Sequence, residues 1–300
     1  MYAALHLRDM GMHPLTCTWA PHAYTDVGRR NFYRWLEMGF DNILVTPNPK
    51  VHALLTRLAF LNLLHPFQPF VLGQRSLAPR VAAAWGIDLV MFGELDDDYE
   101  GEGQGWQEKE EAPHLEEVCI AGVEYPRLCR DFGLAPADLQ IYAPGRAGGL
   151  GDRTGDRKVS VQALGRYIRW DPLDAYLFAS ERGFEANDHR TEGTFSKGAS
   201  IDDKLDPLHY FGMVVKCGVG RASHDASIEI RHGRMTREEG VALVRQFDTE
   251  EPRRYLADCL AYMGLTLAEY RATIDRFREA SGLWERTGTE GTWRLAEQVS

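Results

Sequence analysis

The sequence has no apolar run approaching the ~20 residues that span a bilayer, and its N-terminus lacks the basic-then-apolar layout of a secretory signal. These absences read as a soluble, cytoplasmic chain without a membrane span. Positive charge is also short: 34 Lys and Arg stand against 44 Asp and Glu, for a net charge of -10. Nucleic-acid binding relies on an electropositive face, so general polyanion binding is excluded and only local basic clefts stay open. The five cysteines, Cys17, Cys119, Cys129, Cys217 and Cys259, form no C-x-x-C pair, and the ten histidines show no H-E-x-x-H spacing. No zinc site is legible in that pattern, and the thiols read as buried and reduced. The G-x-G-x-x-G, Walker and G-x-S-x-G signatures are missing as well, which removes a standard dinucleotide fold, a P-loop and a legible Ser-His-Asp triad.

What is present is ample core material: 300 residues, 44% of them hydrophobic, enough for one large or two modest domains. Residues 1–95 alternate helix-like and strand-like segments of the length found in βαβ units. Helices are predicted over 2–10, 27–38 and 51–64, with β-rich segments over 13–19, 43–46 and 87–92. The fold class is therefore α/β with a parallel sheet, followed by a mainly helical region over 158–300. In such sheets the ligand crevice lies beyond the carboxyl ends of the strands, which places 19–25, 46–48 and 93–94 around one candidate pocket. Residues 45–52 (VTPNPKVH) and 67–74 (FQPFVLGQ) read as proline-rich turns at that edge. Between the two parts, 96–157 reads as insertion and linker, acidic over 96–112 and glycine-rich over 144–157. In the helical part, Asp171-Pro172 predicts a helix start, and Thr236 with Glu239 and Thr266 with Glu269 fit capping boxes.

Two segments carry the chemistry. Residues 191–206, TEGTFSKGASIDDKLD, combine hydroxyls, carboxylates and two lysines in a way few cores are written. A nucleotide or sugar-phosphate site needs cations for phosphate, carboxylates for Mg²⁺ or sugar hydroxyls, and pliable backbone. Lys197, Lys204, Glu192, Asp202, Asp203 and Gly193 are of those types. The plainer alternative is a solvated loop in which Asp202 or Ser200 caps the next helix. Residues 218–231, GVGRASHDASIEIR, place Arg221 and Asp225 four apart, where a helix would simply pair them. Upstream, TWAPHAYTDVGRRN (18–31) sets an indole, a histidine and two arginines past a strand end, with Trp19 either stacked on a base or packed in the core.

Taken together and in order, TWAPHAYTDVGRRNF, GFDNILVTPNPKVHALLTRLAF, HPFQPFVLGQ, MFGE, FEANDHRTEGTFSKGASIDDKLD and GVGRASHDASIEIRHGRMTREEGVALVRQFD resemble the N-acetyl sugar amidotransferases of lipopolysaccharide and flagellar-sugar pathways. That family is a branch of the PP-loop ATP pyrophosphatases. The resemblance covers Met1 to about Phe277 and finds no counterpart for 281–300. It implies that ATP adenylylates the oxygen of a sugar acetamido group and that ammonia then displaces AMP, leaving an acetamidino group. It further implies ATP and Mg²⁺ as cofactors, a nucleotide-linked N-acetyl sugar as substrate, and ammonia from glutaminase and cyclase-like subunits. Relatives carry a strand and an SGGKDS phosphate loop ahead of the helix that starts here at Met1, so the chain is expected to be truncated at its N-terminus and its parallel sheet to lack a central strand.

Carried onto this sequence, the resemblance implies catalytic roles for Asp202, Asp203, Lys204, Arg221 and Asp225. It implies cofactor contacts from Trp19, His22, Thr46, Gly73 and Glu94, and substrate contacts from Thr191, Glu192, Gly193, Thr194, Ser196 and Lys197. Mg²⁺ would go to Asp202 or Glu94. Two alternatives stay open: a non-catalytic nucleotide-sugar-binding or scaffold subunit, because the phosphate loop is absent, and a tRNA-thiolation-type PP-loop enzyme.

Overall fold

A computed structural model of the chain describes residues 1–93, 119–143, 159–287 and 292–296. Glu94, the acidic loop expected over 96–112 and the glycine-rich linker expected over 144–157 lie outside the described residues. The chain divides into two compact units, the first comprising Met1–Ala20, Arg30–Val51 and Phe70–Glu185, the second Pro21–Arg29, His52–Pro69 and Ala186–Ser300.

In chain order the N-terminal elements are α1 (Tyr2–Asp9), β1 (Thr16–Trp19), α2 (Asp26–Glu37), β2 (Asn42–Val45), α3 (Pro49–Leu63), α4 (Gln68–Trp85) and β3 (Leu89–Phe92). They follow the alternation expected from the periodicity. β1 and β2 pair in parallel from Thr16 with Asn42 to Trp19 with Val45, as a strand-helix-strand crossover requires. β3 pairs in parallel with β6 (Ser160–Ala163), Leu89 opposite Ser160 and Phe92 opposite Ala163. Among the described residues these are two separate two-stranded ladders, not one continuous sheet.

One expectation is corrected. Of residues 67–74 only Phe67 lies in a turn, closed by the Gln68 N–H on His65 O at 3.0 Å; the rest open α4, which runs from Gln68 through Pro79 to Trp85. Pro69 sits in the first helical turn, where its missing N–H would have had no intrahelical partner, so the proline that suggested a turn is compatible with the start of a helix. On α4, an ideal Cβ at Gly73 would lie 2.2 Å from the Trp19 indole. Trp19 is 4% exposed, with Tyr142 edge-on at 5.6 Å, so the glycine is what lets α4 seat on the end of β1. Gly73→Ala is expected to lower stability by about 1–3 kcal/mol through overpacking. Urea denaturation checks this, and an unchanged midpoint would mean that the helix is free to shift off the ring.

Residues 119–143, inside the expected insertion, are ordered into β4 (Cys119–Ile120), β5 (Val123–Glu124), α5 (Tyr125–Phe132) and α6 (Pro136–Gln140). Ala121 and Gly122 join the two strands with φ of 58° and 71°, the positive pair that a tight hairpin turn demands. A 3₁₀ turn at Leu164–Arg166 leads to α7 (Pro172–Ser180), where the Asp171 carboxylate accepts the Leu173 N–H at 3.0 Å, as its Asp-Pro start predicts.

The second unit is mainly helical: α8 (Asp206–Cys217), α9 (Arg221–Arg231), α10 (Arg237–Phe247), α11 (Leu256–Met263) and α12 (Leu267–Ser281), then an antiparallel pair β7 (Trp284–Thr287) and β8 (Thr292–Leu295). Both predicted capping boxes form, Thr236 with Glu239 and Thr266 with Glu269. The core joins Phe60 and Leu64 of the α3 end to Leu208, Phe211 and Val215 of α8, Tyr270 and Ile274 of α12, and Trp284 and Leu295 of the hairpin. Trp284 Nε1 donates to Val215 O at 3.0 Å, so the indole is buried with its one polar group satisfied.

Candidate functional site

In the second unit, the chain from Ala186 to Leu205 contains no helix or strand, and its polar groups are met by side chains and by scattered backbone bonds. Thr191 is buried, its hydroxyl donating to Ala199 O at 2.8 Å and its N–H to Ser196 O at 2.9 Å. Thr194 is fully buried and donates to Asp225 Oδ2 at 2.5 Å. Arg190 grips Glu250 with two nitrogens at 2.6 and 2.7 Å, the planar bidentate geometry that guanidinium favours, and lies 4.3 Å over the Phe247 ring. Glu250 also accepts the Gly193 N–H at 2.9 Å, and Glu192 accepts the Arg253 and Arg254 N–H groups at 3.0 and 3.1 Å. Ser196 is half-buried, while Lys197 is exposed and contributes its carbonyl to the Asn187 N–H.

The end of this segment zips against residues 21–29. Thr25 N–H donates to Asp202 O at 3.0 Å, Lys204 N–H donates to Ala23 O at 2.8 Å, and Tyr24 bridges Asp203 in antiparallel sense. An ideal Cβ at Gly28 would fall 2.6 Å from Asp202 Cα, so this approach requires glycine there. His22, in the same strip, lies 5.1 Å from His52 and 6.3 Å from Tyr262 between ring centroids. Burial pushes the His52 imidazole down to about 3, with His22 adding to the effect.

Three carboxylates follow closely. Asp203 is 4% exposed, and burial pushes its pKa up to about 7 even though Leu205 N–H donates to it at 2.7 Å; Asp206 and Asp202 raise it further. Burial likewise pushes Asp206 up to about 6, against the pull of Arg221 and a Ser200 hydrogen bond. Asp202 is exposed at its edge yet closely surrounded by protein, and that crowding raises its carboxyl. The capping alternative is corrected: the residue ahead of α8 is Leu205, Ser200 turns to Asp206, and the carboxylate that meets the helix start is Asp203.

Across from these, Arg221 and Asp225 pair within α9 at 2.9 Å, with side chains only 15% and 13% exposed. Arg221 also donates to the Tyr210 hydroxyl, and burial pushes Tyr210 up to about 12. Lys204 pairs with Asp258 at 2.6 Å and lies 5.6 Å from the Tyr255 ring centroid. An open recess beside it is lined by Glu192, Lys204, Pro207, Leu208, Tyr255 and Cys259. The second unit thus bonds Gly193, Thr194, Arg221 and Asp225 into one polar network with Arg190, Tyr210 and Glu250, members that sequence reasoning missed, while Glu192, Asp203 and Lys204 take other partners, the Arg253 and Arg254 amides, the Leu205 amide and Asp258. The acidic run at 248–251 is the signal that was available; it reads as solvated surface.

Residues 188–300 match the family model described as LPS biosynthesis protein WbpG-like, C-terminal domain. No curated protein matches the chain. The WbpG-like segment contains both polar stretches and runs through 281–300, which corrects the expectation that this tail has no family counterpart. Within this tail Trp284 and Leu295 belong to the core. Trp19, Thr46 and Gly73 lie in the first unit, and His22 lies in the second but ahead of the WbpG-like segment. Trp19 is packed in the core, Thr46 is exposed just past β2, and Gly73 is buried under the indole. Among the described residues no three His, Cys, Asp or Glu side chains converge to hold a metal ion, and no helix is long and apolar enough to cross a membrane.

Proposed function

We propose that the chain acts in lipopolysaccharide biosynthesis as an ATP- and Mg²⁺-dependent amidotransferase that converts an acetamido group of a nucleotide-linked sugar to an acetamidino group. The observation that carries this reading is the coincidence of the WbpG-like segment with the polar network built on Thr194, Arg221 and Asp225. ATP supplies the leaving group by adenylylating the amide oxygen, and ammonia displaces AMP. An amide oxygen needs no deprotonation, so the protein has mainly to align it and balance charge.

The residues divide accordingly. Asp203, protonated and deprotonated in comparable amounts near neutral pH, is suited to take the proton that ammonia sheds as it becomes part of the amidine. Asp202, the exposed member of the pair, is suited to a cation or a sugar hydroxyl. Mg²⁺ commonly takes one or two carboxylates plus phosphate oxygens, a demand Asp202 meets without a three-residue cluster. Thr191, Glu192, Gly193, Thr194, Ser196 and Lys197 form the substrate side, with Lys204 and Arg221 beside it. Ammonia would come from glutaminase and cyclase-like subunits and His22 would belong to the nucleotide side, whereas Trp19 and Gly73 pack against each other inside the first unit and leave no face for a nucleotide.

Calorimetric titration with a UDP-linked diacetamido sugar tests substrate recognition, and incubation with ATP, Mg²⁺ and ammonium tests turnover. Saturable sugar binding with release of AMP and pyrophosphate is the expected result. Sugar binding without any ATP consumption would instead support a nucleotide-sugar-binding subunit, and absence of sugar binding would end the proposal.

A further inference from the structure

The turn after α10 reaches both arms of the network. Asp248 is buried and belongs to no helix interior, yet its carboxylate accepts the Gly220 N–H at 2.8 Å, the Ser223 N–H at 3.0 Å and the Ser223 hydroxyl at 2.7 Å. These are the orphan donors at the start of α9, which has no side-chain cap of its own. An ideal Cβ at Gly220 would lie 2.7 Å from Asp248 Oδ1, so a glycine is needed for the carboxylate to come this close. Two residues on, Glu250 holds the other arm through Arg190 and the Gly193 N–H. The Arg190 guanidinium keeps the Glu250 carboxyl below its ordinary range, so the clasp is ionised at neutral pH. The arms themselves meet through Thr194 Oγ1 on Asp225 and through the Ala222 N–H on Gly193 O at 3.0 Å. Gly193, with φ of 86°, gives the loop no stiffness of its own.

We propose that Asp248 and Glu250 are positioning residues: from one short turn they clamp the 190–194 loop and the N-terminus of α9, and so set the distance between Thr194 and the Asp225–Arg221 pair. Only the consequence for substrate rests on the function proposed above. A carboxylate suits the task because one side chain satisfies several N–H donors at once, and the corresponding amide keeps the shape while it weakens the bonds to its one oxygen and loses those to its NH2, which cannot accept. Glu250→Gln therefore loosens the loop without opening a cavity.

Hydrogen exchange on the full chain, comparing wild type with Glu250→Gln and Asp248→Asn, tests this without an activity assay. In Glu250→Gln the Gly193 and Ala222 amides should exchange at least tenfold faster while the amides of α12 keep their wild-type rates; in Asp248→Asn the same should hold for Gly220 and Ser223. Unchanged rates at Gly193 and Ala222, or uniform acceleration through α8 to α12, would overturn the proposal. With a UDP-linked diacetamido sugar, Glu250→Gln should raise KM about tenfold and leave the KM for ATP as it was. Local loosening in a protein whose wild type binds no such sugar would uphold the clamp and defeat the functional reading instead.

Discussion

Arg221→Ala should lower stability by about 3 kcal/mol and cut turnover at least a hundredfold. The size follows from what the guanidinium serves. It pairs with Asp225, donates to Tyr210 and offsets the charge of Asp206, in a setting where the pair is about 85% shielded from water. Deleting it strands a carboxylate with its charge, which costs more than the pair ever contributed. Arg221→Lys should recover little, because a single ammonium cannot reproduce the separate Nε and Nη1 contacts. Denaturant unfolding and AMP release measure the two effects. Wild-type behaviour in both would remove Arg221 from the centre of the site.

Asp203→Asn should raise stability at pH 8 and, under the proposed function, slow amidine formation. The folded pKa, about 7, stands above the ordinary value of 3.8, so between those limits the folded protein holds a proton that the unfolded chain has released. Stability from this group is full below about pH 4, declines as pH rises, and is lost once pH passes 7. Asparagine carries no charge to bury and still presents an oxygen to the Leu205 N–H. The variant should thus match wild type near pH 4 and exceed it by about 4 kcal/mol at pH 8, at roughly 1.4 kcal/mol for each pH unit of separation. Amidine formation should fall at least a hundredfold, the usual scale of a lost proton acceptor. A stability difference that does not vary with pH would contradict the buried, partly protonated carboxylate.

The elements decided by one neighbouring side chain were legible in the sequence. Asp171 ahead of Pro172, Thr236 with Glu239 and Thr266 with Glu269 each mark a helix start locally, and the Arg221–Asp225 pair follows from spacing. The start of α4 was not, because Pro66 and Pro69 signal a turn as strongly as a helix entry. Nor were the clasps of the site: Arg190 and Glu250 are 60 positions apart, Thr25 and Ile201 176, and no periodicity connects such residues. The polar composition of 191–206 sets this stretch apart from a core, but which carboxylate is buried and which exposed is fixed by the strip at 21–29 and by Gly28. That is tertiary information, absent from the segment itself.

The second unit is stitched from distant parts of the chain, and this has a consequence for synthesis. Residues 21–29 and 52–69 leave the ribosome long before 186–300, yet Phe60 and Leu64 are walls of that later core and Ala23 and Thr25 are partners of its 201–204 strip. Those early stretches must wait, with apolar faces uncovered, until most of the polypeptide has emerged, which makes assembly slow and reliant on protection from aggregation. A polypeptide cut at Asp188 to isolate the WbpG-like segment would lack two of its own inner surfaces, so a boundary drawn by sequence similarity does not coincide with a unit that can fold by itself.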